Sequence, residues 1–336
     1  MGTQDILDNI RTHHPDHERL GAILRIVRNV GVDTRYFVRP LDSYLVSGDP
    51  DVTERTGTAF ADAARMAEEA SLAALDQAGI GPDDIDALVT SHSTSWAVPG
   101  LDVHLVNSLG LPGRTRRVSM TTLACAGGVQ ALIRAAELAR VRPGSRVLVV
   151  ISEAISAVYN HRDTSVPSMI YKALFGDSAA ACVVSTEPLG PGLAIGDPGT
   201  TDSTLELLMP DTTDRYRGSL DTHGLHFEST KAAKKTADQS LPHVAAWLDG
   251  EVPGFAVIHP GSPVIITDVA AGLGLDARSA QHSRELLAQE GNRGGASVLG
   301  VLERIHDDPP ADGDPGMAVA FGPGFVVAAL RGSWHA

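Results

Sequence analysis

Alternation most constrains what this chain can fold into: short runs rich in Val, Ala and Ile alternate with longer Ala-rich amphipathic stretches along nearly all 336 residues. A run of four to eight apolar residues suits a buried strand, whereas apolar residues recurring every three or four suit a helix with one buried face. The pattern therefore dictates an α/β protein with helices packed on sheets. The spacing predicts helices at 6–11, 18–30, 56–78 and 127–141, and strands at 87–91, 117–120, 146–152 and 179–185. After a Pro- and Gly-rich stretch at 187–199 it predicts helices at 231–248, 265–273, 284–289 and 296–305, and strands at 256–259, 317–321 and 326–330. No low-complexity linker interrupts the alternation. The expectation is two similar halves, 1–187 and 188–336, packed as layered helices and mixed sheets.

Three segments rich in small residues present chemistry: Leu123-Ala124-Cys125-Ala126-Gly127-Gly128, Ile258-His259-Pro260-Gly261 and Glu290-Gly291-Asn292-Arg293-Gly294-Gly295. A thiol nucleophile needs a proton acceptor and donors for developing negative charge, and Cys, His and Asn supply those roles. The stretch after Cys125 is Ala- and Leu-rich, so Cys125 should open a helix, where free amides and the macrodipole favour an anion. A neighbouring imidazolium would lower the thiol pKa further, and the expectation is a thiolate held ready for attack. The plainer alternatives are a small packed cysteine, a satisfied core histidine and a helix-capping asparagine. Cys182, in Ala179-Ala180-Ala181-Cys182-Val183-Val184, reads as a core strand residue with no reactive role. The order Cys, His, Asn also occurs in papain-like peptidases, but their local cysteine signature is missing.

Charge and composition narrow the partners. Lys+Arg 27 against Asp+Glu 41 gives a net charge of -14, which argues against nucleic acid or an anionic membrane and requires a local basic patch for any anionic ligand. Two cysteines give no disulfide framework and fit a reducing compartment. The start lacks a basic segment followed by an apolar one, and no apolar run approaches spanning length, so the cytoplasm is the expected location. His13, His14 and His17 flank Pro15 in a polar linker and read as a solvated loop; no metal site is expected. No phosphate-cradling G-x-G-x-x-G occurs in 187–199, so no dinucleotide cofactor is expected.

The segments Leu174-Phe175-Gly176-Asp177-Ser178-Ala179-Ala180, His259-Pro260-Gly261, Gly291-Asn292 and Phe321-Gly322-Pro323-Gly324 resemble the motifs of type III polyketide synthases, the chalcone synthase-like branch of the thiolase-fold condensing enzymes. Val32-Asp33-Thr34-Arg35-Tyr36 and Arg331-Gly332-Ser333-Trp334 resemble bacterial members, and the 33 residues from His259 to Asn292 match the family spacing. The resemblance implies a thiolase-like fold and an acyltransferase that extends an acyl-CoA or malonyl-CoA starter by decarboxylative condensation with malonyl-CoA. It implies that Cys125 carries the chain, that His259 and Asn292 hold the malonyl thioester carbonyl, and that Phe175 gates the site.

It further places Arg25 and Arg28 against the CoA phosphates and Gly322, Pro323 and Gly324 as a turn lining the site. Ser93, Thr94, Gly218, Phe227 and Gly294 would line the elongation cavity, with Val98 reaching towards the partner subunit of a homodimer. CoA thioesters enter as substrates, and no resident cofactor is implied. This chain departs from the family in four ways. Arg293-Gly294-Gly295 replaces a Ser-rich pair, the loop after Cys125 lacks the aromatic of plant members, and Ala22 and Asn29 stand where lysines are usual. A further strand is also expected ahead of residue 3. The alternative reading is a ketoacyl synthase III-like enzyme making one condensation or acyl transfer, supplied by an acyl carrier protein.

Overall fold

The computed structural model describes residues 1–196 and 203–336; the end of the Pro- and Gly-rich stretch, 197–199, lies outside them. Helices α1 (Thr3–His13), α2 (Leu20–Arg28) and the short α3 (Tyr44–Ser47) precede α4 (Val52–Gln77). Then come β1 (Ala87–His92), α5 (Leu101–Ser108), β2 (Arg116–Thr121), α6 (Gly127–Val141), β3 (Arg146–Glu153), α7 (Val166–Leu174) and β4 (Ser178–Ser185). The chain continues with β5 (Gly192–Ile195), β6 (Thr204–Leu208), β7 (Tyr216–Asp221), β8 (Gly224–Ser229), α8 (Lys231–Leu248) and β9 (Phe255–Ile258). It closes with α9 (Pro263–Gly272), α10 (Gln281–Glu290), α11 (Ala296–Asp307), β10 (Pro315–Gly322) and β11 (Val326–His335).

The first sheet has the order β2-β1-β3-β4, with β1 parallel to β2 and β3, and β4 antiparallel to β3. In the second, of order β5-β11-β10-β9, β9 and β10 are parallel, β11 is antiparallel to β10, and β6 also pairs with β11. Strand alternation builds the layers. Val147, Val149 and Ile151 of β3 and Ala318 and Ala320 of β10 face α6 and α11, which form a buried helical layer between the sheets. On the other face of the first sheet, Leu148 and Val150 meet α4 and α5. Met317, Val319 and Phe321 meet α8, α9 and α10 on the far side of the second. Small Ala and Gly residues on α6 let that helix fit between two sheets, which is why its buried positions run almost all round.

Capping explains where several helices start. Asp51 accepts from Glu54 N (2.9 Å), so α4 begins four residues before the apolar spacing predicts. Ser262 caps α9, with Pro263 in the first helical turn. The sequence reading missed α3, α5, α7 and β5–β8. The hairpin β7–β8 carries no apolar alternation because β7 is largely exposed, and α7 is a short apolar run that reads equally as a strand.

The expected solvated histidine loop is corrected at His14, while His13, Pro15 and Asp16 are exposed as expected. His14 is buried and its Nε2 lies 2.8 Å from His161 Nδ1, while His13 stacks on His161 with ring centroids 3.9 Å apart. His17 Nε2 reaches Thr164 O at 2.9 Å. The partner lies 147 residues away, so local polarity could not reveal it. Burial pushes His14 down to about 4 and His161 to about 2, helped by Lys172, by neighbouring imidazoles and, at His161, by Arg55. Both are held neutral in the folded chain, so the unfolded chain binds the extra protons. The stability they carry is complete above the ordinary histidine value of 6.5 and is lost as pH falls through 6.5 towards 4 and below. Thermal denaturation should therefore show a steeper acid loss in the wild type than in His161→Phe, which keeps the stack without the titration. The difference in Tm loss should be about 2 °C or more, the shift roughly 1 kcal/mol gives in a large domain; parallel profiles would exclude the cluster as the cause.

Candidate active site

Two close backbone approaches bring three loops together. Gly128, in the first turn of α6, packs against Gly295 so tightly that any Cβ there would overlap the Gly295 carbonyl. At Gly322 a Cβ would lie 2.6 Å from Ala126 Cβ and 3.0 Å from Leu123 O. Larger residues would push the Cys-bearing turn away from the Asn-bearing loop and from the end of β10. The small residues thus set the spacing of the site.

Cys125 is half-buried in a 3-10 turn, Ala124–Ala126, that runs directly into α6. Ala124 N donates to Ser93 Oγ (3.0 Å), tying the turn to the end of β1. Asn292 is buried, and its Oδ1 accepts from Gly294 N (2.9 Å), which leaves its amide NH₂ to donate, and its side chain is near enough to favour the Cys125 thiolate. Asn292 is also strapped to Phe175: Asn292 N donates to Leu174 O (2.8 Å) and Gly176 N to Asn292 O (3.0 Å). His259 follows β9, with its backbone N–H on Val319 O (2.9 Å). Its imidazole is buried, and neither ring nitrogen has a hydrogen-bond partner among the described residues. A buried ring with both nitrogens unsatisfied is costly unless it serves a bound group.

The expectation of a preformed thiolate is corrected. Burial pushes the Cys125 thiol up to about 12, opposed by the Asn292 hydrogen bond and reinforced by the Glu153 carboxylate. Burial also pushes His259 down to about 4. No hydrogen bond joins the two side chains, and burial favours the neutral form of each. The helix N-terminus does not overcome desolvation here. Cys182 sits on β4 opposite Val149, and burial alone pushes its thiol up to about 12.

The other sequence-predicted residues fall into two groups. Ser93, Thr94 and Gly294 gather with the buried Glu153: Ser93 N donates to Glu153 Oε2 (3.0 Å), Thr94 Oγ1 accepts from Ala154 N (2.9 Å), and Gly294 backs onto Glu153 Cγ. Gly322, Pro323 and Gly324 form the turn from β10 to β11, where Thr212 Oγ1 donates to Gly324 O (2.7 Å). Gly218 and Phe227 face each other across the β7–β8 hairpin. Val98 is 79% exposed beside the 74% exposed Trp96, outside this cluster. Arg25 and Arg28 are exposed on α2, which packs against α7, and neither forms an ion pair among the described residues.

Sequence reasoning missed Glu153, Tyr171 and Tyr216. Glu153 ends a strand expected at 146–152, and an acid closing an apolar run was the available signal. Its Oε1 is buried without a partner among the described residues, and burial holds its pKa above the usual carboxylate value. Tyr171 lies one helical turn before Phe175, and the rings meet at 5.1 Å.

The family model for the N-terminal domain of chalcone and stilbene synthases matches residues 32–188, and that for their C-terminal domain matches residues 201–331. The chain is 31% identical to a 1,3,6,8-tetrahydroxynaphthalene synthase of Streptomyces griseus, over 98% of this chain and 88% of that protein. It is 29% identical to a phloroglucinol synthase of Pseudomonas fluorescens, over 99% and 95%. Among solved structures, the 1,3,6,8-tetrahydroxynaphthalene synthase of Streptomyces coelicolor A3(2) superposes with a TM-score of 0.93 at 29% identity, covering 100% of this chain and 96% of that one. Germicidin synthase of Streptomyces coelicolor gives 0.91 at 29% identity, covering 99% and 95%.

Proposed function

The chain belongs to the chalcone and stilbene synthase family, the type III polyketide synthases, and from that premise we propose that Cys125, His259 and Asn292 carry its chemistry on CoA thioesters, with Phe175 shielding them. The protein is an acyltransferase that makes polyketide or phenolic products by repeated decarboxylative condensation. Family membership thus favours iterative extension over the single condensation of a ketoacyl synthase III-like enzyme.

One observation supports the assignment of roles: the His259 imidazole is buried with neither ring nitrogen partnered among the described residues, and Gly294 N holds the Asn292 amide oxygen so that its NH₂ is left to donate. In loading, Sγ attacks the acyl-CoA carbonyl as its proton passes to His259, and that proton leaves with the CoA thiol. Moving the proton between two neutral groups leaves the pair's net charge unchanged, which suits a buried site. In extension, the malonyl carboxylate departs as carbon dioxide and its bonding electrons form an enolate, whose oxygen accepts from His259 and Asn292. The enolate carbon then attacks the Cys125 thioester: a C–C bond forms, the C–S bond breaks, and the chain moves to CoA two carbons longer. Transfer back to Cys125 restarts the cycle.

The same proposal puts the division between halves at 187/188, the turn from Gly322 to Gly324 along the site, and Ser93, Thr94, Gly218, Phe227 and Gly294 around the growing chain. It assigns the exposed Val98 to a homodimer contact. Arg25 and Arg28, exposed and free of ion pairs among the described residues, would meet the CoA phosphates. Incubation with malonyl-CoA and a panel of acyl-CoA starters, with products identified by mass, tests the proposal. A dimer mass in solution is expected alongside. Replacing Arg25 and Arg28 with Ala should raise KM for malonyl-CoA by about tenfold with a smaller change in kcat, the sign of lost uniform binding. Turnover that strongly prefers malonyl-carrier protein at matched concentration would overturn the CoA reading.

A further inference from the structure

We propose that Arg293 is a positioning residue for decarboxylation: its guanidinium, clamped between α10 and α11, fixes the backbone that places Asn292. This rests on the reading of Asn292 as a donor to the malonyl thioester oxygen. Asn292 sits in the loop 291–295 between the two helices, where Gly291 (φ +73°) and Gly294 (φ +59°) both take left-handed backbone. Glycine reaches such angles easily and leaves them easily, so the loop does not hold one shape by its own sequence. On the side of Phe175, backbone bonds to Leu174 and Gly176 hold Asn292. On the far side the next residue holds it, through its side chain.

Arg293 is buried, and its Nη1 donates to Glu290 Oε2 (2.6 Å) at the end of α10. Arg304, in the last turn of α11, donates through Nη2 to the other oxygen, Glu290 Oε1 (2.6 Å). One carboxylate thus ties the loop to both helices that flank it. Charge-assisted bonds are about twice as strong as neutral ones, and burial limits the salt screening that weakens surface pairs. The guanidinium lies across Gly300 of α11, where a Cβ would stand 1.5 Å from Nη2, so the missing side chain makes the groove that receives it. The main chain is tied as well: Arg293 N donates to Ser297 Oγ (2.9 Å), and Ser297 N to Gly294 O (3.1 Å). Asn292 bridges Phe175 and is locally extended, so consecutive side chains point to opposite sides. Asn292 turns to Cys125 while Arg293 enters the space between the helices. Rotation of the peptide between them would swing the Asn292 amide off its target, and a misplacement of about 1 Å can cost about 10²-fold in rate.

The test measures labelled carbon dioxide release from malonyl-CoA and, in parallel, acylation of Cys125 by an acyl-CoA starter. The proteins are wild type, Arg293→Met, Gly300→Ala, Asn292→Ala and the double variant Asn292→Ala with Arg293→Met. Arg293→Met keeps an apolar stem and leaves Glu290 its bond to Arg304. Its decarboxylation should fall by about 10- to 100-fold while acylation changes by less than about threefold. Gly300→Ala should give the same split, because it keeps every charge, adds a residue that helices favour and displaces only the ends of the Arg293 and Leu286 side chains. It carries the test if Arg293→Met does not fold. In the double variant the loss should equal that of Asn292→Ala alone, since an amide that is absent cannot be misplaced. Wild-type decarboxylation in folded Arg293→Met, or in Gly300→Ala where Arg293→Met does not fold, would overturn the inference. So would an equal loss of both steps, or additive losses in the double variant. Wild-type decarboxylation in Asn292→Ala would instead overturn the Asn292 reading beneath it.

Discussion

Cys125→Ala should form no polyketide and take up no acyl group, a loss of about 10⁴-fold or more, the scale seen when a covalent nucleophile is removed. The fold should survive, because alanine already flanks the position on both sides in the turn before α6. Cys182→Ala is the matched control: its side chain is partly buried on β4 against the inner helical layer, so its replacement should cost about 1 kcal/mol of stability and leave product formation in place. The two variants share a chemical change and differ only in site. Thermal melts with product mass for both will separate reactivity from packing. Equal loss of activity in the two would exclude a special role for Cys125.

Asn292→Ala should separate decarboxylation from loading. Removing one donor from an oxyanion site costs ~10²–10³ in rate, and Asn292 is proposed to donate to the malonyl thioester oxygen. Release of carbon dioxide from malonyl-CoA should fall by that factor, whereas acylation of Cys125 should be much less affected. His259→Ala should harm both steps, since the imidazole also takes the thiol proton. The measurement is labelled carbon dioxide release beside intact-protein mass. Wild-type decarboxylation in Asn292→Ala would remove that residue from the mechanism.

Much of this was legible in the sequence because the governing patterns are local. Apolar runs at 146–152 and 317–321 read as buried strands, and the Ala-rich 127–141 segment packs between two sheets because its side chains are small. The Cys and Asn segments stood out because small residues flank them, and the structure shows the reason at Gly128 and Gly295, where backbones touch, and at Gly322, which packs on the Cys-bearing turn. Long-range partners left no such trace. His14 is polar in a polar linker, yet it is buried against a histidine 147 residues away. Tyr171 looks like any core aromatic until α7 places it beneath Phe175. The charge state of Cys125 was misread because a helix N-terminus is visible in sequence and desolvation is not.

In the proposed mechanism the growing chain resides on Cys125. Wild-type protein incubated with isotopically labelled malonyl-CoA and an acyl-CoA starter, quenched during turnover and digested, tests it by the position of the label. Thioester-bound label should appear on the peptide containing Cys125, in steps of two carbons, and none on the peptide containing Cys182. Turnover to polyketide with label confined to any other residue, or with no covalent label at all, would contradict it.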